Sequence, residues 1–222
     1  MNRRRIYLMR HARVAYFEDG RPLHPDAVPL TDEGREQARA AAELLAGIGF
    51  DRVITSGLPR TLETARIVAP DRAPEEWPEL REIESGRLGD IPEDQLERAF
   101  LDAFRDVVPE DTPFLGGETI GSLLDRILPA LDRLLADPDW DVLLAVLHGA
   151  VNRGILSHAL TGSRLYLGNL EQAPGCINIL DVGENDWVVR AVGITPLDLA
   201  HRGGRLRTME ELWAEFRPPG PA

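Results

Sequence analysis

Cysteine is almost missing from this sequence of 222 residues. The one thiol, Cys176, lies in the apolar run "CINIL" and reads as a small core side chain, so a disulfide framework and any cysteine-built metal cluster are excluded. Positive charge is short as well. Lys+Arg 25 stand against Asp+Glu 37, a net −12, so the surface at large repels polyanions and nucleic acid is not an expected partner. Long apolar runs are lacking too: Ile6 to Met9 is too short for a secretory core, and nothing approaches membrane-spanning length. These absences lead to the expectation of a soluble cytoplasmic protein with no membrane partner. No internal repeat and no Gly- or Ser-rich linker divides the chain, so a single domain over 1–222 is expected, a length that one α/β domain can occupy.

Extended and helical signals alternate along the chain. "IYLM" reads as a strand, and "TDEGREQARAAAELLAGIGF" as an amphipathic helix with Thr31 as N-cap and Asp32 and Glu33 in its first turn. "RVIT" at 52–55 is a second strand, followed by a helix in "LPRTLETARIVA" with Pro59 in its first turn. "WDVLLAVLH" is nearly all apolar, as a central parallel strand covered on both faces should be, and the helix "AVNRGILSHALTG" follows it. The pattern predicts an α/β fold, a three-layer α/β/α sandwich with a mostly parallel central sheet. Two segments depart from it. Residues 84–116 carry Leu96, Phe100, Phe104, Val107 and Val108 between proline-bounded loops and read as a helical insertion or cap, and "CINILDVGENDWVVRAV" reads as a C-terminal β-hairpin at a sheet edge. The tail "RPPGPA" is expected to fray.

Polar residues collect where strands end. In an open α/β sheet ligands bind beyond the carboxyl ends of the strands, and three strands deliver side chains there: Arg10 and His11, Thr55 and Ser56 with Arg60 just beyond, and His148 before Gly149. Arg10 and Arg60 bring fork-shaped, permanently charged donors suited to phosphate oxygens, so the pocket fits a tetrahedral dianion.

"LMRHA", "TSGLPRTLETA", "LREIESG", "GGETIGSLLDRI" and "VLHGAVNRGIL", in this order, resemble the histidine phosphatase superfamily, also called phosphoglycerate mutase-like, from about residue 5 to 194. The resemblance implies the same sandwich. It implies that His11 is a nucleophile forming a transient phosphohistidine, that Arg10, Arg60 and His148 bind the phosphoryl group, and that Glu82 is the general acid, with Glu84 as the fallback. Two nearby arginines favour a neutral, attacking imidazole at His11. A metal-independent phosphomonoesterase acting on a small phosphorylated metabolite, with no cofactor, is the function this implies. Phosphoglycerate mutase-type transfer and a non-catalytic phosphate-binding protein on the same fold are the alternatives.

Departures bear on those alternatives. Ala12 stands where the common motif has glycine. The Trp-Asn pair of the bisphosphoglycerate-using mutases is replaced by Tyr16-Phe17, followed by a charged, proline-rich loop over 17–29, which weakens the mutase reading. His24, His158 and His201 read as packed or hydrogen-bonded structural residues, Arg3, Arg4 and Arg5 as a solvated basic end, and Glu118 as a helix-capping, first-turn residue. His148 and His158 are not at i, i+4 spacing and lack acidic partners, so a metal site is not expected.

Overall fold

The computed structural model describes residues 3–18 and 21–217. In chain order its main elements are β1 (Arg4–Arg10), the two-residue strands β2 (Phe17–Glu18) and β3 (Arg21–Pro22), α1 (Asp32–Leu44), β4 (Arg52–Thr55), α2 (Pro59–Val68), β5 (Glu75–Glu76), α3 (Glu93–Leu101), α4 (Ile120–Ala136), β6 (Val142–Leu147), α5 (Gly149–Thr161), β7 (Ile177–Val182), β8 (Trp187–Ile194) and α6 (Thr208–Phe216). Six strands form one sheet in the order β5-β4-β6-β1-β7-β8. The first four run parallel, and the hairpin β7–β8 closes the other side antiparallel.

The alternation of side chains along the strands makes the layers. On β1, Ile6 and Leu8 join a core with α4 and α5, while Tyr7 and Met9 join a second core with α1 and α2. On β6, Leu143, Ala145 and Leu147 face the first core, and Leu144 and Val146 the second. Both faces are covered, which is why this strand has no polar position. Thr31 caps α1 by accepting from Gly34 N–H at 3.0 Å, Pro59 opens α2, and α5 stops at Gly162 in the left-handed region at φ 64°.

Several expectations are corrected. The helix of the insertion is shorter than the apolar pattern suggested: α3 ends at Leu101, Phe104 and Val108 are buried outside it, and Val107 is exposed. The chain leaves the helix to pair with 166–168, through Val108 N–H to the Tyr166 carbonyl at 2.9 Å and Gly168 N–H to the Asp106 carbonyl at 2.8 Å. The supposed loop at 17–29 contains the β2–β3 ribbon and a short 3₁₀ turn at Pro25–Ala27. Arg3, Arg4 and Arg5 are not simply solvated. Arg3 pairs with Asp186, Arg5 with Asp181 at 2.7 Å, and Arg4 donates to the carbonyls of Leu135 and Asp137 while lying 4.3 Å over the Trp140 ring. Most of the tail expected to fray, residues 218–222, lies outside the described residues. No helix among the described residues is long and apolar enough to cross a membrane.

The first turn of α1 grips the chain just after β1. Thr31 N–H donates to the Arg13 carbonyl at 3.0 Å, Arg13 N–H donates to Gln37 Oε1 at 2.9 Å, and a Cβ on Gly34 would lie 2.2 Å from the Arg13 carbonyl oxygen. Replacing glycine by alanine in an open helix stabilises by about 1 kcal/mol. Gly34→Ala should do the reverse and cost about 1–3 kcal/mol through overpacking, read as a lower urea midpoint at unchanged m value. A midpoint equal to or above wild type contradicts this packing.

Candidate active site

Because β1 and β6 are parallel neighbours with Arg10 registered beside Leu147, the residues that follow them emerge at one edge. His11 and His148 are both fully buried there, with ring centroids 5.3 Å apart. His11 N–H donates to the Leu147 carbonyl at 2.9 Å, which fixes the main chain of the first histidine to the strand carrying the second. Thr55 ends β4 on the other side of β6, so Ser56 and the start of α2 with Arg60 reach the same edge.

The hydrogen bonds assign the tautomers. His11 Nδ1 lies 2.8 Å from the Ala12 carbonyl, which can only accept, so Nδ1 carries the proton and the lone pair is on Nε2. The Tyr16 hydroxyl is 3.3 Å from that Nε2. Thr61 Oγ1 gives its proton to the Leu58 carbonyl at 2.8 Å and therefore accepts from Ser56 at 3.2 Å, and Ser56 in turn accepts from His148 Nε2 at 2.7 Å. His148 Nδ1 is buried and has no hydrogen-bond partner. Both imidazoles are held well below the ordinary histidine pKa, first by burial and then by the field of Arg60, with Arg10 adding to it. Both are neutral at pH 7.

The cations are buried as well. Arg10 is 5% exposed and Arg60 2%. Arg10 donates through Nη1 to the Gln172 carbonyl at 2.6 Å and to Thr208 Oγ1 at 3.2 Å, while its buried Nε has no hydrogen-bond partner. Arg60 stands 5.8 Å over the Tyr16 ring. The first turns of α2 and α5 both open here, and helix N-termini favour negative charge. A point where a Cβ on Gly149 would sit is 3.2 Å from Arg153 Nη1, 3.6 Å from Arg10 Nε and 3.6 Å from Glu82 Oε2. A glycine at this place leaves those three groups room to meet a ligand.

Glu82 comes from a loop, not from the sheet. Its carboxylate accepts from Ala150 N–H in the first turn of α5 at 3.1 Å and from Ile83 N–H at 3.1 Å. Arg126 of α4 holds this loop by donating to the carbonyls of Glu79, Arg81 and Glu82 at 2.7, 2.6 and 3.1 Å. Glu118 does not cap α4, a role taken by Thr119; it clamps Arg126 at 2.8 Å and accepts from Glu84 N–H at 3.1 Å. Glu84 itself is exposed.

All five predicted site residues thus lie at one edge of the sheet. Sequence reasoning missed Arg153, 2% exposed, which donates to the Gly168 carbonyl at 3.1 Å and pairs with Glu171 at 3.3 Å. A signal existed: Arg153 is at i+4 from Gly149, on the same face of the helix that follows His148. The chain has no lysine, so every basic side chain here is a guanidinium. His24, His158 and His201 do not line the cavity beside the site, and no group of three or more His, Cys, Asp or Glu among the described residues could hold a metal ion.

Comparison with known proteins gives the same direction. The family model of the histidine phosphatase superfamily (branch 1) matches residues 6–195. "Probable phosphoglycerate mutase GpmB" of Enterobacter sp. (strain 638) is 31% identical over 188 residues, covering 82% of this chain and 87% of that protein. The crystal structure of a "putative alpha-ribazole-5'-P phosphatase" from Escherichia coli superposes with a TM-score of 0.68 at 26% identity, over 86% of this chain and 97% of that one. The mycobacterial glucosyl-3-phosphoglycerate phosphatase with inorganic phosphate shares the fold, with a TM-score of 0.68 at 23% identity over 87% and 98% of the two chains.

The depressed histidines set a pH dependence of stability. Well above pH 6.5, by about pH 7.5, neither the folded nor the unfolded chain protonates them appreciably and they contribute almost no slope. Below it the unfolded chain takes up protons that the folded chain refuses, so stability falls as pH falls, by up to about 1.4 kcal/mol per pH unit per histidine. Urea unfolding at pH 7.0 and 5.5 should therefore show a smaller loss for His11→Asn than for wild type. Equal losses would mean that folded His11 protonates normally.

Proposed function

The chain belongs to the histidine phosphatase superfamily, and on that premise we propose that it hydrolyses a phosphate monoester of a small metabolite by way of a phosphohistidine on His11. The observation that carries the reading is the neutral pair His11 and His148 held beside Arg10 and Arg60, with Nδ1 of His11 committed to the Ala12 carbonyl. The names of the similar proteins, two phosphatases and a phosphoglycerate mutase, concern phosphorylated small molecules.

The residues divide the work as follows. Arg10 and Arg60 receive the dianion, and their charge stabilises the equatorial oxygens as the phosphoryl group moves. Tyr16 lies against Nε2 of His11 and must yield that place to phosphorus. Nε2 then attacks, the N–P bond forms, the P–O bond to the alcohol breaks, and the electron pair leaves on the alcohol oxygen. Nδ1–H stays on the Ala12 carbonyl and steadies the positive ring. His148 has its Nε2 proton on Ser56, so to support a phosphoryl oxygen it takes up a second proton at its unpartnered Nδ1 as the dianion binds. Glu82, in its acid form, gives a proton to the leaving oxygen. In the second half a water attacks phosphorus, Glu82 takes its proton, and the N–P bond breaks to return the imidazole. Glu82 is preferred to Glu84 because its carboxylate is at the first turn of α5, whereas the Glu84 side chain is at the exposed rim. The reaction needs no metal or organic cofactor in this scheme, and the cytoplasm is the compartment we assign.

The 31% identity to a protein named as a mutase supports a second reading, in which the phosphoenzyme returns its group to another hydroxyl. It is tested with 3-phosphoglycerate and a trace of 2,3-bisphosphoglycerate. Isomerisation faster than phosphate release from every ester tried makes the mutase reading primary.

Brief incubation with a labelled phosphomonoester should trap an acid-labile, base-stable phosphoprotein that folded His11→Ala does not form. Glu82→Gln should lose about 10²- to 10⁴-fold on alkyl phosphates, whose alkoxide needs a proton, and far less in formation of the phosphoenzyme from p-nitrophenyl phosphate. Equal losses in that step on both esters remove Glu82 as the acid, and Glu84→Gln is the next variant.

A further inference from the structure

Beside the site lies an open cleft of about 1160 Å³, beyond the ~300–1,000 Å³ of most small-molecule sites. Its inner end carries Arg10, Arg60, Arg153 and Glu82. Its middle is different in kind. The chain has six phenylalanines, and five of them, Phe17, Phe100, Phe104, Phe114 and Phe216, line this one space. Phe104 and Phe114 stack at 5.3 Å and 10°, and Phe100 and Phe216 at 5.7 Å and 12°, so the walls are flat and already ordered. Leu88, Ile91 and Leu212 extend the apolar surface. Phe17, Phe114 and Phe216 are only half-buried, which leaves apolar area open toward the cavity. The outer rim returns to charge, with Arg87, Asp90 and the ion pair of Glu93 with Arg217.

These walls come from the segments outside the sheet: the insertion around α3, the β2–β3 ribbon, and α6, whose Phe216 and Trp213 pack on Phe100. The sheet edge supplies a phosphate end, and the additions supply an apolar body joined to it. A three-carbon polar alcohol such as glycerate would fill little of this space and would leave the phenylalanines facing water. Apolar area removed from water is what such walls can offer a ligand.

We propose that the ester handled here carries a bulky, predominantly apolar alcohol, such as an aryl, fused-ring or long alkyl group, which lies against the phenylalanine walls while its phosphate sits between Arg10 and Arg60. This rests on the phosphatase reading above and names the substrate class of that same site.

Two series test it on the full chain. Binding of ethyl-, butyl- and hexylphosphonate, read by calorimetry, needs no turnover. Phosphate release from ethyl, butyl and hexyl phosphate holds the acidity of the leaving alcohol nearly constant. Each added methylene should tighten phosphonate binding and raise kcat/KM by about two- to fourfold, the upper figure corresponding to full burial. Leu88→Asn and Leu212→Asn, checked for folding by circular dichroism, should each lower the hexyl-to-ethyl ratio several-fold. A variant that merely unfolds loses both esters in proportion and leaves that ratio as it was. Phosphate release with a flat series in both assays, or a ratio untouched in both folded variants, overturns the apolar-alcohol proposal while the phosphatase reading stands. A steep phosphonate series with no phosphate released from any ester overturns the phosphatase reading and leaves the ligand class standing.

Discussion

The guanidinium of Arg10 is buried at the end of β1, and among the described residues no carboxylate pairs with it. A charge in that position is costly unless something compensates it. The surroundings hold it in place without neutralising it. Its Nη1 is fixed by the Gln172 carbonyl and by Thr208 at the start of α6, while the Gln172 side chain bonds Asn178 of β7, and Asn178 donates to the Leu8 carbonyl of β1. Sheet, hairpin and C-terminal helix are therefore tied around one cation, and the compensation left to be made is an anion. The burial of Gln172 and Asn178, which contribute nothing to an apolar core, is explained by that constraint.

Burial first, and the field of Arg60 and Arg10 after it, sets the chemistry of the histidines. Burial alone disfavours an imidazolium, and the neighbouring guanidiniums add to it, so the ring that must attack keeps its lone pair. Orientation is settled separately by short-range contacts: a main-chain carbonyl for His11 and a relay of hydroxyls through Ser56 and Thr61 for His148. Neutrality and tautomer thus have different causes, one long-range and one local. A hydroxyl relay is well suited to the second task because it adds no charge to the site.

Where a short apolar run ends abruptly on polar residues, the sequence was easy to read. β1 before His11, β4 before Ser56 and β6 before His148 were legible because a strand buried on both faces has no polar position until it leaves the sheet. The hairpin was legible from its turn residues, and α1 and α2 from Thr31 and Pro59. What failed depended on partners distant in sequence. α3 stops at Leu101 although Phe104 and Val108 continue an apolar pattern, because residues 106–108 bond to 166–168. α6 was not anticipated, although Met209, Leu212, Trp213 and Phe216 repeat at helical spacing; its place is set by packing on α3. The roles of Arg126 and Glu118, which fix the loop bearing Glu82, follow from contacts between α4 and main-chain carbonyls that no local pattern announces.

The all-arginine composition has a consequence for handling the molecule. A guanidinium keeps its proton to beyond about pH 12, so the positive field around the phosphate end has no titration of its own across the range in which proteins are studied. The basic side chains thus add nothing to the pH profile of the site. Reagents that acylate or cross-link side-chain amines find no such group in the chain, whereas dicarbonyls selective for guanidines meet a site built from their target. Phosphate-protected modification by such a dicarbonyl gives a chemical footprint of the cationic end that needs no substitution in the sequence.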